Sequence, residues 1–350
     1  MLRIVGTCDR RLFGITPAER LRRQRRSAPG PVLVAHASAV LSDAAVQWLL
    51  ENPGRGLATP SGRLVAIAVE ETGAPAAEAA VAAGSAPESV NPAALPAMFI
   101  RKLRRRDTLF VRSLEEEPRP NVERELFANV YKGVTDLVTK FAWPAPAFWV
   151  TRLCAALRIR PNAVTLLGIL CMTMAAYYWV RGDLVTGMLL AWLMTFLDTV
   201  DGKLARVTVT SSKFGDKLDH WTDVVHPPIW WVCLAVGLAK HHSGAVLAIS
   251  LAAGAILAGY VLGRIIEVIF KLKFGYNPYL WQRFDSAFRL IVSRRNIILL
   301  IMTAGLLVGA PVEAFIASAV WTAVSVVIQV ARLVQAMRTA GDGELKSWLM

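Results

Sequence analysis

Asp198-Thr-Val-Asp201-Gly202-Lys-Leu-Ala205-Arg206 is followed, eight residues on, by Gly215-Asp-Lys-Leu-Asp219-His-Trp-Thr-Asp223. Asp198 and Asp201 stand three apart and Asp219 and Asp223 four apart, so each pair projects from one face of its own helix. Two such helix ends facing each other bring four carboxylates into one small volume. Carboxylates that close repel one another unless divalent cations neutralise them, and hard oxygen ligands favour Mg2+ or Mn2+. One or two divalent ions are therefore expected on Asp198, Asp201, Asp219 and Asp223. Helix capping or surface pairing explains any one of these aspartates, but not four of them beside apolar spans. Gly202 and Ala205 leave the helix surface beside the first pair open to a planar base or a diphosphate. Arg206 is placed to bind phosphate or to orient a carboxylate.

The elements that must position these groups are membrane helices. Of 350 residues, 55% are hydrophobic, well above the share in a soluble domain, and the excess lies in the later part of the chain. Six spans are expected, at about 163–180, 184–205, 218–239, 244–270, 296–310 and 312–336. The aspartates fall at the end of the second and the start of the third, where isolated charges could not face hydrocarbon unpaired. Before the spans, residues 131–157 mix Trp143, Phe148 and Trp149 with Lys132, Lys140 and Arg152, a pattern for amphipathic helix lying in the interface, interrupted at Pro144 and Pro146. The net charge of +13 sits on residues flanking apolar spans, which points to anionic lipid or phosphate substrates and away from nucleic acid. The loops at 203–217 and 271–295 are rich in Lys and Arg, so they are placed on the cytoplasmic side with both termini, despite Lys240 opposite. No secretory signal pattern is read in the first 26 residues. Cys8, Cys154, Cys171 and Cys233 have no metal-type or redox-type spacing.

The first 110 residues read differently. Strands are expected at 31–35 and 63–69 around a helix at 39–50, which makes a small α/β domain. Residues 74–97, dominated by Ala, Pro, Gly and Ser, read as linker. The basic run 101–106 suits a solvated helix face and anionic headgroups equally. The expected architecture is thus a cytoplasmic α/β domain at 1–110, linker and interfacial helix at 111–160, and an all-α membrane domain of about six helices at 161–340.

The aspartate stretch resembles the signature of the CDP-alcohol phosphotransferase family, D-x-x-D-G-x-x-A-R, eight residues, then G-x-x-x-D-x-x-x-D, with every specified position filled. Arg160-Pro161-Asn162-Ala-Val-Thr165 is similar to that family's P-N-x-x-T motif, and the resemblance runs over about 131–337. It implies transfer of a phosphoalcohol group, phosphatidyl or polyol phosphate, from a CDP-alcohol to an alcohol acceptor with release of CMP, in phospholipid biosynthesis. By the same resemblance Asp198, Asp201 and Asp219 ligate metal, and Asp223 completes the metal site and acts as general base. Asp198, Gly202, Ala205, Arg206 and Gly215 line the CDP pocket. A homodimer in the inner or plasma membrane is implied as well.

Arg289, Arg294 and Arg295 follow the fourth span on the side of the aspartates, and could grip a phosphorylated acceptor such as an inositol or glycerol phosphate, or could simply anchor the membrane face. His220 and His226 are read as polar packing rather than metal ligands. Pro227-Pro228 should unwind or kink the third span beside a polar cavity. The amino-terminal part resembles a nucleotidyltransferase-like domain, but Phe13-Gly14-Ile-Thr-Pro17 supplies one glycine where a phosphate loop has several, so a degenerate or regulatory domain is expected. Three functions stay open: a lipid synthase with a CDP-diacylglycerol donor, an enzyme joining a soluble CDP-polyol to its acceptor, and a non-catalytic transporter or scaffold.

Overall fold

The structure, a computed structural model, describes residues 1–26, 30–86, 88–101, 103–211, 213–341 and 345–350; for Lys213, Phe214, Asp216, Leu218, Asp219 and His220 it describes the backbone alone. The chain forms two compact units. One comprises 1–133, 148–161 and 202–211, and the other 134–147, 162–201 and 212–350.

In the first unit β1 (Leu2–Val5) leads to α1 (Pro17–Arg26), β2 (Val32–His36), β3 (Ala39–Leu41), α2 (Asp43–Glu51), β4 (Gly56–Ala58), β5 (Leu64–Val69), α3 (Ala74–Ala83), β6 (Ser89–Val90), a β7–β8 hairpin (Met98–Ile100, Arg105–Asp107), β9 (Val111–Ser113) and α4 (Arg119–Asn129). The main sheet is mixed, in the order β1-β2-β5-β4-β6. Its second strand is apolar over 32–35 because both its faces are covered: Leu33 and Ala35 enter one core and Val32 and Val34 the other. The expected helix at 39–50 begins only at Asp43, after Ser42 accepts from the Ala45 N–H as its cap, and the residues before it form β3 paired with β9.

Residues 74–97 are not a linker. Alanine is the best helix former, Pro75 sits in the first turn where its missing N–H costs nothing, and Gly84 closes α3 at φ +73. Ala74, Ala77 and Val81, spaced on one face, are buried against the sheet. The basic run 101–106 is not helical either: Arg105 and Arg106 lie in β8, and a turn joins them to β7.

In the second unit a π-helical turn (Val138–Ala142) precedes α5 (Pro144–Ala156), whose main part belongs to the first unit. Pro144 therefore starts a helix rather than interrupting one. Trp149 and Leu153, four apart on α5, and Leu157 just past its end are all exposed. Then come α6 (Pro161–Arg181), α7 (Leu184–Val207), α8 (Lys213–His241), α9 (Val246–Phe274), the short α10 (Arg283–Phe288), α11 (Arg295–Leu307) and α12 (Pro311–Ala340). Among the described residues five helices are long and apolar enough to cross a membrane, and 283–291 with 295–307, bent by 44°, makes a sixth if the pair is one span. The fifth expected span thus needs α10, since α11 has 13 residues and about 20 are needed. Trp192 of α7 donates to Thr303 of α11 at 2.8 Å. Gly259 lets α9 approach α12 so closely that a Cβ there would collide with Thr322.

Candidate active site

Three of the signature aspartates are described in full. Asp198 and Asp201 project from α7 and Asp223 from α8. Asp198 and Asp223 are brought together on a single cation: Arg295, at the first turn of α11, donates to Asp198 Oδ2 at 2.7 Å and to Asp223 Oδ1 at 3.1 Å. Arg295 also faces His226 Nε2 at 3.3 Å. Its guanidinium thereby serves the aspartates, and the same side chain lines the cavity that also holds the other two expected acceptor arginines. Asp201 is buried and accepts from Thr165 at 2.6 Å. That threonine is the last residue of the P-N-x-x-T stretch, so the two motifs meet directly. Asp219 and His220, expected as ligand and as polar packing, have side chains outside the described residues.

The helix carrying Asp223 contains both prolines. Pro228 has no N–H to offer the Val224 carbonyl four residues back. Tyr260 of α9 supplies the missing donor, its hydroxyl giving a hydrogen bond to Val224 O at 2.7 Å. The carbonyl freed beside the aspartate is therefore satisfied by a side chain, as a buried backbone group must be. His226 is held as polar packing by Thr222 O at 2.5 Å and by the edge of Trp230.

Asp223 also lines a cavity of about 120 Å³ whose other polar walls include Arg264, Glu267, Tyr279, Arg289 and Arg294. Arg294 is paired with Glu267, which also accepts from the Tyr279 hydroxyl at 3.2 Å. Arg289 is placed differently. Its Nε and Nη1 are buried and have no hydrogen-bond partner among the described residues, while its guanidinium lies 5.6 Å from the Tyr279 ring centroid. Burial raises the Tyr279 phenol to about 12, so it stays a neutral donor. On the far wall Gln329 presents a buried Oε1 that likewise lacks a partner. An arginine with donors to spare and an amide with an acceptor to spare suit a ligand that carries both an anion and hydroxyls.

Arg289 is oriented from below. Arg332 of α12 grips Asp285 through two contacts of 2.7 Å and so fixes α10, which ends one residue before Arg289. Asp136 is the charge that faces it. Burial alone would raise that carboxyl, but the Arg289 charge and hydrogen bonds from Thr139 and Asn296 outweigh burial and hold it below its ordinary value. Nothing in the local sequence marks Asp136, because its partner Asn296 lies 160 residues away. All three expected acceptor arginines, Arg289, Arg294 and Arg295, thus line the cavity, Arg294 paired with Glu267 and Arg295 with Asp198 and Asp223.

Gly202, Ala205 and Arg206 continue α7 beyond Asp201 within the first unit. Arg206 folds back along its own helix over Gly202, where a Cβ would stand 3.2 Å from its Nη2. Gly215 lies in the first turn of α8. Carboxylate oxygens from two helices sharing one cation are the donor type that Mg2+ or Mn2+ requires, so Asp198 and Asp223 fit a divalent ion in kind. Among the described residues no group of three or more His, Cys, Asp and Glu side chains forms a metal cluster.

A helical membrane fold with paired aspartates from adjacent helices beside an arginine-lined cavity defines a class of intramembrane transferases. Residues 158–331 match the family model described as CDP-alcohol phosphatidyltransferase, and this part of the chain is a domain of that family. It is similar to the archaetidylinositol phosphate synthase of Pyrococcus horikoshii, with 39% identity over 75 residues, 21% of this chain and 39% of that protein. The match therefore spans about two fifths of that relative's length. Two crystal structures of the Mycobacterium tuberculosis phosphatidylinositol phosphate synthase are similar at 19% identity over 53% of this chain. The one with CDP-DAG bound has a TM-score of 0.41 over 91% of its length, and the one in complex with manganese and citrate 0.42 over 87%.

Proposed function

We propose that this chain moves a phosphatidyl-type group from a lipid CDP-alcohol to a hydroxyl of a phosphorylated polyol, releasing CMP. One observation carries the reading: Asp223 belongs both to the aspartate pair and to the wall of the cavity that holds Arg289. An acceptor phosphate bound at Arg289 sets its hydroxyl before a carboxylate. Asp223 takes the proton of that hydroxyl, and the oxygen attacks the phosphorus that bears the donor alcohol. The bond from this phosphorus to the CMP oxygen breaks, and CMP leaves with the pair of electrons. Arg295 orients Asp198 and Asp223. A divalent ion on Asp198, Asp201, Asp219 and Asp223 supplies, when bound, neutralisation of the charge that develops on the diphosphate. Gly202, Ala205, Arg206 and Gly215 receive the cytidine diphosphate.

The name of the Pyrococcus relative favours an inositol phosphate acceptor and a lipid donor. Under this reading the site and both termini face the cytoplasm, the domain at 1–110 serves the membrane domain at 161–340, and the chain works as a homodimer in the membrane. The purified protein with CDP-diacylglycerol and Mg2+ or Mn2+ is expected to release CMP with myo-inositol 1-phosphate and not with free inositol, with the product mass read by mass spectrometry. Equal use of free inositol sinks the phosphate assignment. Preference for a soluble CDP-polyol moves the reaction to phosphodiester-linked polyols, and no CMP release from any donor removes the enzymatic reading.

A further inference from the structure

Lys203 lies inside the signature but is not one of its specified positions, and its surroundings are unusual. It is 3% exposed. Burying an ammonium costs several kcal/mol unless it is paired, yet among the described residues no carboxylate forms an ion pair with it. Its Nζ stands 3.0 Å from the centroid of the Tyr131 ring and donates to the Val130 carbonyl at 3.3 Å. Val130 is the residue that closes α4, so the amine meets both an aromatic face and the carbonyl end of a helix. A leucine would fill the same space without the cost of desolvation. The amine is therefore accounted for by the contacts that it anchors rather than by packing.

A second set of contacts grips the end of the same helix. The last carbonyls of a helix have no partner within it. At the end of α7, buried Arg20 donates to Val207 O and Arg23 to Thr208 O, the latter at 2.7 Å, both from α1. Arg23 is itself held by Glu19 at 2.5 Å. The next residue, Val209, adopts φ +51, a left-handed conformation that is strained for a β-branched side chain. Such a backbone persists where its surroundings over-determine it, and here Thr210 N–H closes on Ala205 O at 2.9 Å.

We infer that Lys203, Arg20 and Arg23 are positioning residues: within the first unit, which includes 202–211, they fix the roll and the end of α7, whose preceding turns carry Asp198 and Asp201. Lys203 follows Asp201 by two residues, about 200° around the helix, so anchoring it points Asp201 the opposite way. The helix is continuous from Leu184 to Val207, and a turn about its axis at one place is passed to the other. On this view the first unit holds its own segment of α7, 202–207, as a fixture. The inference rests on the transferase reading for its catalytic consequence, though not for the clamp itself.

The full-length protein, Lys203→Met, Lys203→Arg, Arg20→Gln and Arg23→Gln are compared in detergent by amide hydrogen exchange and by CMP release. Exchange at 203–211 should rise at least tenfold in Lys203→Met and Arg20→Gln, while exchange at 311–340 stays as in wild type. The kcat should fall on the order of tenfold to a hundredfold with KM for the acceptor unchanged, and Lys203→Arg should recover most of it. Arg23→Gln, altered at a partly exposed side chain, shows the same trend should the buried variants not fold. Unchanged exchange at 203–211 overturns the clamp. Raised exchange with wild-type kcat overturns the positioning role, as does equal loss in Lys203→Met and Lys203→Arg. A wild type that releases no CMP while the exchange pattern holds would strike the transferase reading and leave the clamp standing.

Discussion

At the scale of single residues, Asp223 and Arg289 divide the proposed work between chemistry and recognition. Asp223→Asn keeps the shape of the side chain and removes the base, so CMP release should drop at least a thousandfold, of the order general-base catalysis contributes, while donor binding measured by calorimetry holds. Arg289→Gln removes the donors that face the cavity without a partner. A charge-assisted hydrogen bond to phosphate contributes roughly 1.5–3 kcal/mol, so KM for the phosphorylated acceptor should rise by about tenfold to a hundredfold with donor KM steady. A rise in donor KM instead would place Arg289 on the nucleotide side. Arg295 shows how a residue readable in type is unreadable in destination. Arg289, Arg294 and Arg295 all line the cavity, but only Arg295 gives its guanidinium to Asp198 and Asp223.

At the scale of elements, the pairing of Pro228 with Tyr260 makes α8 dependent on α9. Tyr260→Phe leaves the Val224 carbonyl without its donor and should destabilise the membrane domain by about 1 kcal/mol, read as a lowered midpoint in thermal unfolding. A midpoint equal to wild type means that the carbonyl finds another donor. The two proline positions were legible in the sequence, but the tyrosine that answers them was not, since it lies 36 residues away on another helix. The same division runs through the fold. The membrane helices announce themselves because lipid demands long apolar runs, and the aspartates because their spacing sets their face. Helix α3 was hidden because Ala, Pro and Gly are common to linkers and to a capped helix alike, and only its burial on the sheet separates the two. Helix α11 is too short alone, and its membership in a span depends on the bend that joins it to α10.

At the scale of the whole molecule, the two units should answer acid in different windows. In the first unit His36 is pushed below its usual value by burial and by Arg63, which outweigh Glu115. The unfolded chain then takes up a proton more readily than the folded one, so stability is full above about pH 6.5 and declines as pH falls below it. In the second unit the depressed Asp136 carboxyl contributes stability that is present above about pH 4 and is lost as pH falls through its folded value. Hydrogen exchange followed from pH 7.5 to about 3 should therefore show protection in β2 and β5 weakening first and that around 134–142 later. Simultaneous loss would mean that one unit's stability governs both.

The bond between Arg295 and Asp198 also bears on how the chain is made. Asp198 leaves the ribosome 97 residues ahead of its partner, and an aspartate within a span costs a nascent helix roughly 2.5–3.5 kcal/mol to partition into lipid. Helix α7 thus completes its lateral release only after α11 has been synthesised. A chain stalled between them would be held at the insertion machinery with its acidic helix exposed to quality control.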